Sequence, residues 1–273
     1  MAVPNPLRVE LGQRLRTYRE RADVSLRRID EDAQLGWYPG KMSKVETGTR
    51  VPATAELHRI ADLCRVDQDE RANLVALAAG ARKRTRMPHV ADWAQSYVLL
   101  EQAATAIDYH DAELIPAILQ TEGYARALLG LGDADHLDER VAERLSRGEL
   151  LDRPNPPRVR VVLGEAALHR LPPEVHEAHG QLENLIRPRP TAEVRILPFE
   201  RGLYQMIGVG FTTLHLSALA TSRVYLEGAT TATYLHEPSE VAVYEAKFEK
   251  LWTLAASADE SATIVRRLIQ RLE

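Results

Sequence analysis

The sequence contains 273 residues, of which 45% are hydrophobic and 27% are charged, and its formal net charge is −4. This length accommodates one small domain and one larger domain. No apolar run approaches the roughly 18 to 20 residues of a membrane span, and nothing near Met1 resembles a signal peptide, so we expect a cytoplasmic protein without membrane contact. The single cysteine, Cys64, excludes an internal disulfide and a multi-thiolate metal site.

The net charge conceals an uneven distribution along the chain. Residues 1–86 contain 17 lysines and arginines against 12 acidic residues, whereas residues 87–273 contain 18 against 27. A basic segment attracts phosphate groups, while an acidic one is repelled by a duplex. The distribution indicates either nucleic-acid binding by the N-terminal segment or a chance imbalance of solvated surface charge, and motifs must decide between them.

Helical patterns begin close to the N-terminus. Leucines at helical spacing, from Leu7 to Leu15, predict a first helix over about residues 6–22. Ser25 is a suitable N-cap for a second helix, which Gly36 ends as a C-terminal glycine.

The third predicted helix, over about residues 36–46, is the one that we expect to enter the major groove. Pro39 suits its first turn, where a missing amide costs nothing. Met42 then lies on its inward face, while Lys41 and Lys44 point outward.

Two further helices complete this segment. Thr54 opens the fourth, and Asp67 with Glu70, at the spacing of a capping box, opens the fifth. The sequence therefore predicts an all-α, five-helix, helix-turn-helix domain at residues 1–80.

Two motifs in this segment follow a family pattern. They read Leu11-Gly12-x-x-Leu15-Arg16-x-x-Arg19-Glu20 and Ser43-Lys44-Val45-Glu46-Thr47-Gly48. With these motifs the segment resembles the Xre (lambda-repressor-like) helix-turn-helix family of transcriptional regulators. The spacing from Ser25 to Gly36 is two residues longer than is usual in that family. Members of that family have a small residue in the second helix, where two helices approach closely. In this sequence the corresponding position is Asp30 or Ala33, so the place of the two extra residues stays open.

The resemblance and the positive charge imply contacts with double-stranded DNA. We expect these contacts from Arg28, Trp37, Tyr38, Gly40, Lys41, Ser43, Lys44 and Arg50. Lys41 and Lys44 either donate to guanine or hold phosphates, as the arginines do.

Pro39 and Gly40 occupy positions where related repressors carry long side chains that contact bases. Trp37 either touches DNA or packs onto the second helix as a hydrophobic staple.

A basic segment with a proline, residues 81–90, is predicted to link this domain to a larger one at residues 91–273. Helical patterns cover about residues 93–107, 122–130, 137–151 and 171–187, and a short apolar run lies at residues 114–119. Alternating patterns predict about five strands, at residues 158–163, 193–197, 209–216, 223–227 and 231–235. Two long helices close the chain, anchored by Val241 to Ala255 and by Ile264 to Leu272, so we expect an α+β domain.

Several motifs of the larger domain also follow a family pattern. They are Ile115-Pro116-Ala117-Ile118-Leu119-Gln120-Thr121-x-x-Tyr124-Ala125-Arg126, Glu165-Ala166-Ala167-Leu168, Leu197-Pro198-Phe199 and Phe211-Thr212. They resemble the effector domain, of unknown function, that follows an Xre-type head in many actinobacterial regulators. This resemblance implies a homodimer that is often paired with a small protein encoded by a neighbouring gene.

Gln120, Thr121 and Tyr124 are the residues that we expect at a ligand pocket or a partner-binding surface. The alternative is that they cap and pack a junction between a strand and a helix.

The larger domain shows no recognisable catalytic pattern. In His176-Glu177-Ala178-His179 the histidines are three residues apart, instead of the four of a zinc-protease helix. We therefore expect no enzymatic activity, no cofactor and no metal site.

Two hypotheses for the function follow. The first is a sequence-specific, homodimeric transcriptional regulator, such as a repressor, that is controlled through its larger domain by a small molecule or a small partner protein. The alternative is an enzyme that modifies a metabolite and carries a DNA-binding head.

Overall fold

The structure is a computed structural model that describes residues 6–82, 92–132, 135–216 and 221–272. The chain divides near residue 86 into two units, which are described separately. The predicted linker at residues 81–90 lies outside the described residues, except for Ala81 and Arg82 at the end of a helix.

The first unit is helical, as the sequence predicts. Its described residues form α1 (Pro6–Arg21), α2 (Leu26–Asp30), α3 (Lys41–Glu46), α4 (Thr54–Leu63) and α5 (Gln68–Arg82). Leu11 and Leu15 of α1 are fully buried, as are Met42 and Val45 of α3. The helical spacing of these apolar side chains thus gives α1 and α3 the inward faces that hold the unit together.

The start of α3 differs from the prediction. This helix has six residues and begins at Lys41, so Pro39 lies in the preceding loop and not in a first helical turn. The buried Asp30 carboxylate accepts hydrogen bonds from the backbone N–H groups of Gly40, at 2.7 Å, and Met42, at 2.8 Å. Gly40 has a left-handed φ of 85°, which a side chain would disfavour. Residues 31–40 therefore form one long connection between α2 and α3.

The second unit is built on a six-stranded mixed sheet with the order β3-β2-β1-β4-β5-β6. The strands are β1 (Ala106–Asp111), β2 (Arg158–Gly164), β3 (Ala192–Leu197), β4 (Phe211–Leu216), β5 (Thr221–Glu227) and β6 (Ala232–Leu235). β1, β2 and β3 run parallel, while β4 is antiparallel to β1 and the remaining pairs are antiparallel. The helices are α6 (Asp92–Ala103), α7 (Glu122–Gly130), α8 (Leu137–Ser146), α9 (Val175–Ile186), α10 (Pro238–Leu254) and α11 (Ala258–Leu272).

The sequence predicted about five strands, and the structure adds a sixth, β1, at the centre of the sheet. The helix predicted over about residues 93–107 ends at Ala103, and Ile107 belongs to β1. β1 is buried on both faces and contains Asp108, so it shows no alternation of apolar and polar residues. Asp108 is satisfied by Arg160, through two bonds of 2.8 Å, and by His215 Nε2 at 3.0 Å. Burial would raise the pKa of Asp108, but His215 and Arg160 keep this pKa below its ordinary value.

Helices cover both faces of the sheet. Phe248 and Leu251 of α10 pack in one apolar cluster with Val224. Tyr225, the next residue of β5, stacks on Tyr97 of α6 at 4.1 Å between ring centroids. Because successive side chains of a strand point to opposite faces, α6 and α10 lie on opposite sides of the sheet. Among the residues that the structure describes, no helix is both long enough and apolar enough to span a bilayer.

Candidate DNA-binding surface

A group of exposed side chains surrounds α3 in the first unit. Ser43 and Lys44 are exposed on the helix itself, Arg50 follows it, and Arg28 is exposed on α2. Tyr38, in the loop before α3, is 49% exposed, and Lys44 Nζ lies 5.3 Å from its ring centroid. We call these five residues the α3 face.

Lys41 does not point outward as predicted. Its side chain is buried, and Nζ donates to Glu56 Oε1 at 2.8 Å and lies 4.3 Å from the ring centroid of Trp37. Trp37 is also buried and donates its Nε1–H to the same carboxylate oxygen at 2.8 Å. Burial would raise the pKa of Glu56, but the bonds from Lys41, the Ala53 backbone and Trp37 keep it below its ordinary value. Lys41 and Trp37 thus connect α3 and its preceding loop to α4.

Most arginines of α1 are engaged inside the unit. Arg19 donates to Glu46 at the end of α3 through bonds of 2.6 and 3.1 Å, and the side chains of both residues are largely buried. Arg16 pairs with Glu20 at 2.8 Å on the surface of α1. The Arg19–Glu46 contact positions α3 against α1, whereas the Arg16–Glu20 pair lies within α1.

Gly12 sets the distance between α1 and α3. A Cβ atom at this position would lie 2.4 Å from the carbonyl oxygen of Glu46 and 2.5 Å from that of Val45. Such distances do not occur for real Cβ atoms, so only glycine allows this close approach.

The residues predicted at a pocket in the second unit are mainly engaged in local contacts. Gln120 is buried and donates from Nε2 to the carbonyl oxygen of Ile115 at 2.6 Å. Thr121 is the N-cap of α7, and its backbone N–H donates to Gln181 Oε1 at 2.8 Å. The hydroxyl of Tyr124 accepts from the backbone N–H of Ile115 at 3.4 Å. These are the capping and packing contacts of the alternative interpretation, and a role in ligand or partner binding stays a prediction.

A cleft of about 770 Å³ lies elsewhere in the second unit and was missed by the sequence analysis. It opens beside the C-terminal end of β1 and is bordered by α6, α7, α8 and the adjoining ends of β4 and β5. Arg140, Arg144 and Arg147 contribute to its wall from α8 and the residue that follows it. Their spacing, four residues and then three, places them on one helical face and was the signal available in the sequence.

An exposed cationic face beside the third helix of a helical unit is typical of the class of helix-turn-helix proteins. Residues 10–74 match the family model of a helix-turn-helix domain, and residues 94–267 match a domain of unknown function (DUF5753). Because the second match covers more than half of the chain, the protein belongs to the DUF5753 family. The helix-turn-helix domain indicates that it is a DNA-binding regulator. No curated protein and no solved structure matches the chain.

Proposed function

We propose that the protein is a sequence-specific transcriptional regulator that binds duplex DNA through the α3 face and is controlled through its second unit. The observation that carries this proposal is the imbalance of charge around α3. The carboxylates of Asp30, Glu46 and Glu56 are all used in contacts within the unit. In the part of the chain that the structure describes, Lys44 and Arg50 form no ion pair. An exposed cation without a partner is what attraction to phosphate requires.

The α3 face divides into base-reading and phosphate-binding residues. Lys44 and Ser43 lie on α3 and have the reach and the donors for base edges. Arg28 and Arg50 flank α3 and serve as phosphate contacts. Lys41 takes a positioning role, because its ammonium group is already bonded to Glu56.

The proposed regulator acts as a homodimer on two half-sites about one helical turn apart. Its signal is either a small molecule or a small protein that binds the second unit. Copurification followed by intact-complex mass measurement separates the two, since a protein adds kilodaltons and a metabolite adds hundreds of daltons.

An enzyme with a DNA-binding head is the alternative, and one arrangement bears on it. Ser222 Oγ lies 3.1 Å from His215 Nδ1, and His215 Nε2 lies 3.0 Å from Asp108. In serine hydrolases the hydroxyl faces Nε2 and the carboxylate faces Nδ1, so the two nitrogens are exchanged here. Asp108 is also held by both bonds from Arg160. Ser222, His215, Asp108 and Arg160 therefore form a hydrogen-bonded chain that connects β5, β4, β1 and β2. We propose no reaction for this chain of side chains.

Selection of genomic DNA fragments by the full chain, at a stated salt concentration, tests the proposal. The wild-type chain is expected to enrich fragments that share one sequence motif. A chain carrying both Lys44→Ala and Arg50→Ala is expected to lose this enrichment. Equal recovery of all fragments by the wild-type chain would contradict a sequence-specific regulator.

A further inference from the structure

The cleft beside β1 lies where small ligands commonly bind in α/β sheets. It adjoins the C-terminal end of β1, which pairs with the parallel β2 on one side and the antiparallel β4 on the other. After β1 the chain forms β2 and β3 on one side of it and then forms β4 on its other side. Crevices at points where the strand order reverses in this way frequently hold ligands. The volume of about 770 Å³ is within the range of small-molecule sites.

Arg147 at the base of the cleft is committed to an internal network. It donates two hydrogen bonds, of 2.8 and 2.7 Å, to the buried carboxylate of Glu101. The same carboxylate accepts from the hydroxyls of Tyr97, at 2.8 Å, and Tyr109, at 2.7 Å. The charge of Arg147 is thus neutralised, and one wall of the cleft is fixed in place.

Arg144 has no comparable partner. Within the described residues its guanidinium group takes part in no hydrogen bond or ion pair, although it is mostly buried in the wall of the cleft. Burial and the neighbouring charge of Arg147 lower the pKa of Arg144. The carboxylates of Glu227, which also borders the cleft, and of Glu101 oppose this lowering, but among the described residues neither forms an ion pair with Arg144. A buried cation without a directly bonded carboxylate is costly to a fold, and a guanidinium fork matches the oxygens of a carboxylate or a phosphate.

Two other features of the lining bear on a ligand, and the acidic residues Asp111 and Glu227 also border the cleft. Glu143 Oε2 is buried and has no hydrogen-bond partner among the described residues, so it is available to accept from a ligand N–H or O–H group. The stacked rings of Tyr97 and Tyr225, together with Phe211, supply flat aromatic walls. The cleft therefore combines a cation, an acceptor and surfaces that suit a planar ring.

We propose that this cleft is the effector site and binds a small molecule in which an anionic group, a carboxylate or a phosphate, is attached to a planar ring with a hydrogen-bond donor. Arg144 pairs with the anionic group, Glu143 accepts from the donor, and the aromatic side chains hold the ring. The inference rests on the proposed function only for the effect of this ligand on DNA binding.

Calorimetric titration of the full chain with three probes tests the site. Indole-3-acetate and 3-indoxyl phosphate carry the required groups, and the neutral tryptophol lacks the anion. At least one of the two anions is expected to bind at least ten times more tightly than tryptophol, and comparison of the two distinguishes carboxylate from phosphate. Failure of both anions to bind at about 10 mM, a very weak affinity, would overturn the proposal.

Arg144→Gln is the decisive variant, and Arg266→Gln, at an exposed arginine of α11, is its matched control. Arg144→Gln is expected to weaken binding of the anion at least tenfold without lowering the melting temperature, since it removes no hydrogen bond. Arg266→Gln is expected to change neither quantity. Unchanged anion binding by Arg144→Gln would contradict the proposed role of Arg144 in the site. A large fall in the melting temperature of this variant would also contradict it, because such a fall would indicate a structural role.

The effect on DNA is measured separately on a selected fragment. If an anion binds but leaves DNA affinity unchanged, the ligand site stands and its role as the effector site is wrong. If the protein binds no DNA at all, the proposed function fails, while the titration still decides whether the cleft binds the anion.

Discussion

Lys41 and Lys44 are three residues apart on the same short helix, and their surroundings differ completely. Lys41 is buried against Trp37 and bonded to Glu56, whereas Lys44 is exposed. Lys44 contacts the exposed Tyr38 at the surface and loses no buried contact on substitution, so its removal leaves the fold intact. Lys44 is therefore the main base-reading candidate.

Lys44→Ala is expected to weaken binding to a selected site by about 1–3 kcal/mol and to relax the preference for bases near the side chain. The melting temperature should stay the same. Lys250→Ala, at an exposed lysine of α10, is the matched control and should leave DNA binding unchanged. Fluorescence anisotropy with the selected site and its single-base variants provides the measurement, and unaltered affinity and preference in Lys44→Ala would refute the assignment.

Glu101 makes the second unit sensitive to acid. Burial would raise the pKa of Glu101, but Arg147 and the two tyrosine hydroxyls hold it below its ordinary value. A carboxylate whose pKa is lowered by folding stabilises the fold fully above its unfolded pKa of about 4.3. This stabilisation is lost as the pH falls through the lower pKa of the folded state.

Glu101→Gln is expected to lower the free energy of unfolding at pH 7 by about 3 kcal/mol or more, because the buried Arg147 loses its counter-ion. The variant should also lose less stability than the wild type between pH 5 and about pH 3. Urea denaturation across this pH range measures both effects. Identical pH profiles for the two chains would show that Glu101 does not contribute in this way.

At the scale of elements, the contact between α1 and α3 decides whether the α3 face is presented correctly. Gly12→Ala places a Cβ atom against the carbonyl oxygens of Val45 and Glu46, so α3 must shift. We expect a lower melting temperature and weaker binding to all DNA sequences. Gly180→Ala in α9 is the control, because a Cβ atom there meets nothing within 4 Å. Its effect should be neutral or stabilising, by up to about 1 kcal/mol, and equal behaviour of the two variants in thermal unfolding would contradict the contact.

Helical and alternating periodicity predicted most elements, because these patterns depend on nearby residues. The periodicity indicated α1, the two C-terminal helices and five of the six strands. It failed at β1, where the buried Asp108 depends on Arg160 and His215, both distant in sequence. It also failed at the start of α3, where the capping carboxylate belongs to Asp30, ten residues before Gly40.

The candidate sites could be predicted only in part for the same reason. The exposure of Lys44 follows from the helical pattern of α3, and that of Arg50 from its place in the loop after α3. The orientation of Lys41 depends on Glu56, which belongs to another helix. Predicting the cleft requires knowing that Glu101 pairs with Arg147, and that Arg144 forms no ion pair with a described carboxylate. No local pattern in the sequence makes that distinction.

At the scale of the whole molecule, the proposed tasks of a regulator, DNA binding and control, are assigned to different units. Residues 1–86 carry the excess of basic residues and the helix-turn-helix domain, and the acidic remainder carries the DUF5753 domain and the cleft. Positive charge alone would bind any duplex. Specific regulation requires that the α3 face prefer one sequence.

The direct test of this claim is a titration of the full chain with its selected DNA site and with a scrambled site of the same composition, at about 0.15 M salt. We expect the selected site to bind about 10³-fold more tightly or better, as is typical of specific regulators. We also expect Lys44→Ala to reduce this ratio. Equal affinities of the wild-type chain for the two sites would contradict the central claim.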